Sequence, residues 1–170
     1  ARIHDMMWNG NCIQTNGGKV TINGEIGHVN TNGNHIMQAG NSEIQIGASA
    51  DIHHNRVNYG TLYIQGGNNI HVYGKINYNY STDRGGAIAI TNHGASYGYM
   101  YDGAEMIGNY SAETGGALLV SDGAFTMYGG TISGNFAALD GGGVFARERG
   151  NFIMSGGTIS GNYTAQVGGG

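Results

Sequence analysis

The chain has 170 residues, of which 34 are glycine and none proline, and only 11% are charged, against about 25% in an average globular protein. A net charge of −4 with seven basic residues excludes the basic patch that nucleic-acid binding needs. No apolar run approaches the roughly 18 residues of a membrane-spanning helix, and the lone Cys12 excludes both a disulfide framework and a cysteine metal site.

Ala1-Arg2-Ile3-His4-Asp5 lacks the apolar core of a signal peptide, so any targeting segment is expected outside these residues. Residues 1–58 read as irregular coils and 59–170 as regular repeats of a single domain. Val20/Ile22 and then Ile26 open the series of apolar positions, followed by Ile44/Ile46 and Ile52. The next coil adds a third element, giving Leu62/Ile64, Ile70/Val72 and Ile76. Ile88/Ile90, Tyr99/Tyr101 and Met106 follow, and then Leu118/Val120, Phe125/Met127 and Ile132. Val144/Ala146, Phe152/Met154 and Ile159 complete the set. Spacing of two within each pair is the strand period, so each coil carries three short strands separated by turns.

Phe125-Thr126-Met127-Tyr128-Gly129-Gly130-Thr131-Ile132-Ser133-Gly134-Asn135-Phe136 returns 27 residues later as Phe152 to Tyr163. A coil of 24–30 residues cannot bury its own apolar side, whereas a stack of such coils buries a continuous inner core. The sequence therefore predicts an all-β fold, a right-handed parallel β-helix of about six coils. Asn16-Gly17, Asn23-Gly24 and Asn32-Gly33 are hairpin signals. An antiparallel sandwich or barrel, however, does not require the same residue type at the same place in each repeat. In this stack Tyr99 and Tyr101 are expected in the core beneath Phe125 and Met127. Gly85-Gly86, Gly115-Gly116, Gly141-Gly142-Gly143 and Gly168-Gly169-Gly170 are expected to share one corner, and Asn55, Asn79, Asn109, Asn135 and Asn162 to form a structural ladder at another.

Phe-x-Met-x-Gly-Gly-Thr-Ile-Ser-Gly-Asn followed by Gly-Gly-Gly-Val resembles the repeats of large bacterial cell-surface β-helix proteins. Gly85–Ile88, Gly115–Leu118 and Gly141–Val144 are similar to the Gly-Gly-Ala-aliphatic element of polymorphic outer-membrane protein repeats of autotransporter type. The resemblance is strongest over residues 70–170. It implies an extracellular or bacterial cell-surface rod, often adhesive, and names no ligand. Gly168–Gly170 fall where the next strand would begin, so the chain is expected to be a segment of a longer solenoid or a unit that stacks end to end.

Parallel β-helices include polysaccharide lyases and hydrolases, whose sites need converging carboxylates. Asp83-Arg84, Glu113 and Asp140 precede the Gly-Gly corner in successive coils. Asp83 and Glu113 are expected in one register, and Asp140 one residue away. They are candidate ligand contacts, with no catalytic constellation. His28 and His54 occupy equivalent positions beside His53, where stacked imidazoles can hold a divalent metal. Tyr78 in the next coil marks that position as a packed corner instead, so neither metal nor cofactor is expected. Tyr59, Tyr80, Tyr110, Phe136 and Tyr163 each follow Asn, and at least four are expected to stack in a column that stiffens the rod. The longest coil contains a connection at 91–98, where His93 and Tyr97 are the remaining candidate contacts. Glycans or host-surface proteins are the expected partners, with end-to-end self-association as a further one. Neither nucleic-acid binding nor membrane insertion is expected. A fragment of a carbohydrate-active β-helix and a filament subunit are the alternative functions.

Overall fold

A computed structural model describes residues 1–7, 9–32, 34–91 and 96–169. The described residues hold no helix, and their strands pair in parallel to form a β-solenoid of about six turns. Three sheets run along the rod, one of seven strands, one of five and one of eight. The seven-stranded sheet stacks Arg2–His4, Glu25–Gly27, Asp51–His53, Lys75–Asn77, Glu105–Ile107, Thr131–Ser133 and Thr158–Ser160. Its first column runs Arg2, Glu25, Asp51, Lys75, Glu105, Thr131, Thr158, at intervals of 23, 26, 24, 30, 26 and 27 residues. Coil length varies while register is kept, because extra residues are absorbed at corners and the pairing demands that like stacks on like.

The eight-stranded sheet refines the expectation of three separate short strands. Its segments fuse across a corner into single strands at Ile13–Ile22, Met37–Ile46, Leu118–Met127 and Val144–Met154. Elsewhere the same two segments remain apart, as Leu62–Ile64 and Asn69–Val72, or Ile88–Ile90 and Ser96–Met100. Inward positions form aliphatic columns such as Ile13, Met37, Leu62, Ile88, Leu118 and Val144. Each fully buried Ile or Leu stabilises the rod by roughly 1.5–3 kcal/mol, and Ile44, Ile52, Leu62, Ile70, Ile76 and Ile88 are all fully buried.

One column departs from expectation. Tyr99 pairs with Thr126 and His71, not with Phe125, and Tyr101 follows it on the outward face. Gly98 and Met100 take the inward places, opposite Phe125 and Met127. The reason is volume: a Cβ at residue 98 would overlap the Phe125 ring, which is wholly buried and needs the space that Gly98 leaves. Tyr97, Tyr99 and Tyr101 thereby leave the core, Tyr97 exposed and the other two half-buried.

Two corners carry their own columns. Asp5, His28, His54, Tyr78, Gly108, Gly134 and Gly161 all adopt left-handed φ between 52° and 64°, one per coil. The next residue in the later coils is the ladder asparagine. Asn55, Asn79, Asn109 and Asn135 each donate Nδ2–H to Oδ1 of the following asparagine at 2.8–3.1 Å, ending at Asn162. Each Nδ2 also donates to a backbone carbonyl, that of Ile26, Ile52, Ile76, Met106 and Ile132 in turn. These amides are buried, and from Asn55 to Asn135 each Nδ2 has two acceptors, which is the condition for a polar column inside a rod.

Beyond the ladder, Tyr80, Tyr110, Phe136 and Tyr163 lie in register. Tyr80–Tyr110 and Tyr110–Phe136 rings stack at 4.7 and 5.2 Å. Tyr59 lies outside this column. Arg56 holds the matching place and sets its guanidinium 4.4 Å above the Tyr80 ring.

Candidate functional site

Asp83 and Glu113 occupy one register, with the Glu113 amide donating to the Asp83 carbonyl at 2.8 Å. Arg84 sits between their carboxyls, its Nε 2.8 Å from Glu113 Oε2 and 2.9 Å from Asp83 Oδ1. Its hydrogen bond to Glu113 holds that carboxyl below its ordinary value. Burial and then the Glu113 charge push the Asp83 carboxyl up. Leu139 takes the next place in this row. Asp140 bridges instead to Val167 and lines an apolar groove with Val144, Phe145 and Ala146. The structure thus brings together Asp83, Arg84 and Glu113, and leaves Asp140 apart. His93 lies outside the described residues. Tyr97 belongs to the strand Ser96–Met100 rather than to the connection before it, points outward and is 43% exposed.

Around Tyr97 the outer face of the eight-stranded sheet forms an aromatic terrace. Tyr73 stacks on Tyr101 at 4.4 Å, His71 on Tyr99 at 5.0 Å, and Tyr101 on Tyr128 at 5.8 Å. His71 Nδ1 and the Tyr101 hydroxyl are 3.0 Å apart. Burial, followed by the neighbouring Tyr73, pushes the Tyr101 phenol up to about 12, so its hydroxyl stays protonated and available as a donor. Tyr128 closes the stack and is 52% exposed. Tyr97 pairs with Asn69 and Ala124 on the adjacent strands, whose short side chains cannot cover its ring.

A second cluster lies on the seven-stranded sheet. His4, Gly27 and His53 share one outward column, and Arg2, Glu25 and Asp51 the column beside it. Glu25 Oε1 is 3.1 Å from His4 Nε2 and 3.3 Å from His53 Nε2. Arg2 Nε is 2.8 Å from the other oxygen, Oε2. Burial opposes ionisation of Glu25, but hydrogen bonds from His53 and Arg2 outweigh it and hold the carboxyl below its ordinary value. His28 and His54, on the left-handed corner column, stack at 5.1 Å with their planes 5° apart, and Tyr78 stacks on His54. Burial and the neighbouring imidazoles of His53 and His28 lower the basicity of His54. Among the described residues, two groups bring three potential metal donors within 4.8 Å of one another: His28, His53 and His54, and His4, Glu25 and His53.

Sequence reasoning placed His28, His53 and His54 together but missed His4 and Glu25. Their signal is the 23-residue step from Arg2 to Glu25, which carries the register into the first coil. The terrace was missed because Tyr99 and Tyr101 were assigned to the core. Comparisons with protein-family models, with curated proteins and with solved structures find no match.

Proposed function

We propose that this chain is a scaffold segment of a bacterial surface or secreted protein, a stiff β-solenoid whose aromatic terrace holds glycan chains. The observation that carries the reading is the terrace itself. Register sets Tyr99 beside His71, with Tyr97 two residues before it on the same outward face, and Tyr73, Tyr101 and Tyr128 stack beside them across three coils. Stacked rings turn their edges and hydroxyls to solvent, which suits hydrogen bonding to sugar hydroxyls, while Tyr97 and Tyr128 offer ring faces to the apolar side of a sugar. Rigidity of the sheet beneath means that little side-chain freedom is lost on binding. The resemblance of residues 70–170 to cell-surface repeats supports the location and the adhesive role.

The test is incubation of the purified chain with a panel of polysaccharides, following retention of the protein and length of each polymer. Retention without shortening is expected, and substitution of Tyr97 and Tyr128 by alanine is expected to weaken it by about fivefold to about 150-fold, the loss of two aromatic contacts of roughly 0.5–1.5 kcal/mol each. Shortening of any polymer overturns the scaffold reading and directs attention to Asp83 and Glu113. Absence of retention across the panel overturns the glycan reading.

A further inference from the structure

We propose that His4, Glu25 and His53 form a binding site for a divalent transition-metal ion of the zinc type, which pins three successive coils together. The three residues come from Arg2–His4, Glu25–Gly27 and Asp51–His53, adjacent strands of one parallel sheet. His4 and His53 lie two rungs apart in one column, with Gly27 on the rung between them. A Cβ at residue 27 would lie 2.6 Å from His53 Cε1 and 2.9 Å from its Nε2. Only an empty middle rung lets both imidazoles reach the same carboxylate, and glycine supplies it.

The spacing suits a metal. A tetrahedral ion with bonds of 2.0–2.1 Å separates its ligand atoms by about 3.3 Å. Glu25 Oε1 is 3.1 Å from His4 Nε2 and 3.3 Å from His53 Nε2. In the free chain imidazole protons fill the space between these nitrogens and Oε1, and a metal ion takes their place. Arg2 forks onto both oxygens, with Nε 2.8 Å from Oε2 and Nη2 3.2 Å from Oε1, so an ion at Oε1 shares that oxygen with the guanidinium.

Outer partners suit the tautomer that metal binding needs. His4 Nδ1 lies 2.8 Å from Asp5 Oδ2, an acceptor that keeps the Nδ1 proton in place when Nε2 gives up its own to an ion. His53 Nδ1 lies 3.0 Å from His54 Nδ1, a nitrogen able to accept its proton in the same way. The His28 ring is centred 4.9 Å from that of His4 and 5.5 Å from that of His53, beside the site. Two imidazoles and one carboxylate favour zinc, cobalt or nickel over calcium or magnesium, which prefer all-oxygen sets.

The site is tested by calorimetric titration of the whole chain with Zn²⁺, with Mg²⁺ as control and Co²⁺ absorption as a reporter of geometry. One saturable Zn²⁺ per chain, a tetrahedral Co²⁺ band and a raised melting temperature are expected. His53→Ala is expected to abolish binding, and Asp5→Asn, which removes only an outer partner, to weaken it by about tenfold or more. Gly27→Ala keeps every ligand and is also expected to weaken binding, because the new methyl displaces the His53 ring. If His53→Ala fails to fold by circular dichroism, Gly27→Ala and Asp5→Asn decide. Absence of saturable Zn²⁺ binding overturns the proposal. So does binding unaffected by both Gly27→Ala and Asp5→Asn, or binding abolished by His28→Ala yet unchanged in His4→Ala, which would put the ion in the other histidine group.

Discussion

Asp83 carries a carboxyl that the fold leaves under-partnered. Its Oδ1 is buried without an aligned hydrogen bond, although Arg84 Nε is 2.9 Å away, because that N–H is directed to Glu113. Burial and the Glu113 carboxylate raise it above 3.8, so the folded chain holds the Asp83 proton more tightly than the unfolded chain does. The stability from this proton is full below the unfolded value and is lost as pH rises through the folded one. Glu113 works oppositely: held below 4.5 by Arg84, it contributes stability above that value and loses it as pH falls. Asp83→Asn removes the first term and keeps the second. The variant is expected to melt higher than the parent near neutral pH, with the gap closing at about pH 3, where Asp83 is protonated in both states. Melting curves across that range check it, and a variant less stable at neutral pH would show that Asp83 is held mainly by its pairing with Arg84.

Within the eight-stranded sheet, Gly98 and Phe125 are a matched pair: one supplies the space that the other fills. Gly98→Ala is expected to destabilise by about 1–3 kcal/mol through overpacking. In a Phe125→Leu background the cost is expected to shrink, since the smaller side chain vacates the place of the new methyl. Urea unfolding of the four proteins of this cycle measures the coupling, and additive effects would refute the pairing. This pair also marks where the sequence stops being readable. Columns of like residues, Ile26 with Ile52 or Ile132 with Ile159, are legible because a parallel stack sets each position on its own copy. The 30-residue coil breaks that logic. Its sequence assigns the extra length to the connection at 91–98, but alternating Tyr97, Tyr99 and Tyr101 suits either face of the strand that follows, since tyrosine has an apolar ring and a polar tip. Only the volume of Phe125, on the neighbouring strand, decides. The histidine cluster was half legible for a related reason: His28 and His54 repeat a type, whereas His4, Glu25 and Gly27 differ from coil to coil and converge only through register.

At the scale of the whole molecule, the rod is close to one-dimensional, each coil packing on its two neighbours alone. Local stability should therefore follow position along the axis. Ile52, Ile76 and Met100 are covered from both sides and fully buried. Ile3, Cys12, Ile13 and Val20 in the early coils, and Val144, Phe152 and Ile159 in the late ones, are only partly buried against the same core. Half-covered side chains gain less of the roughly 25 cal/mol per Å² of apolar burial, and a strand paired on one side alone has fewer hydrogen bonds to break on opening. Amide hydrogen exchange is expected to be slowest over residues 44–90 and to quicken toward both ends, as the stack opens coil by coil. Equivalent truncations should follow the same gradient. Ile76→Ala is expected to cost about 2–5 kcal/mol, and Ile159→Ala, in the same sheet, about half of that or less. Uniform protection along the chain would mean that the rod unfolds as a single unit. In that case the continuous asparagine ladder from Asn55 to Asn162, rather than nearest-neighbour packing, would be what couples distant coils. Asn109→Ala would then abolish the uniformity by cutting the ladder at its midpoint, and under coil-by-coil opening it would only lower protection nearby.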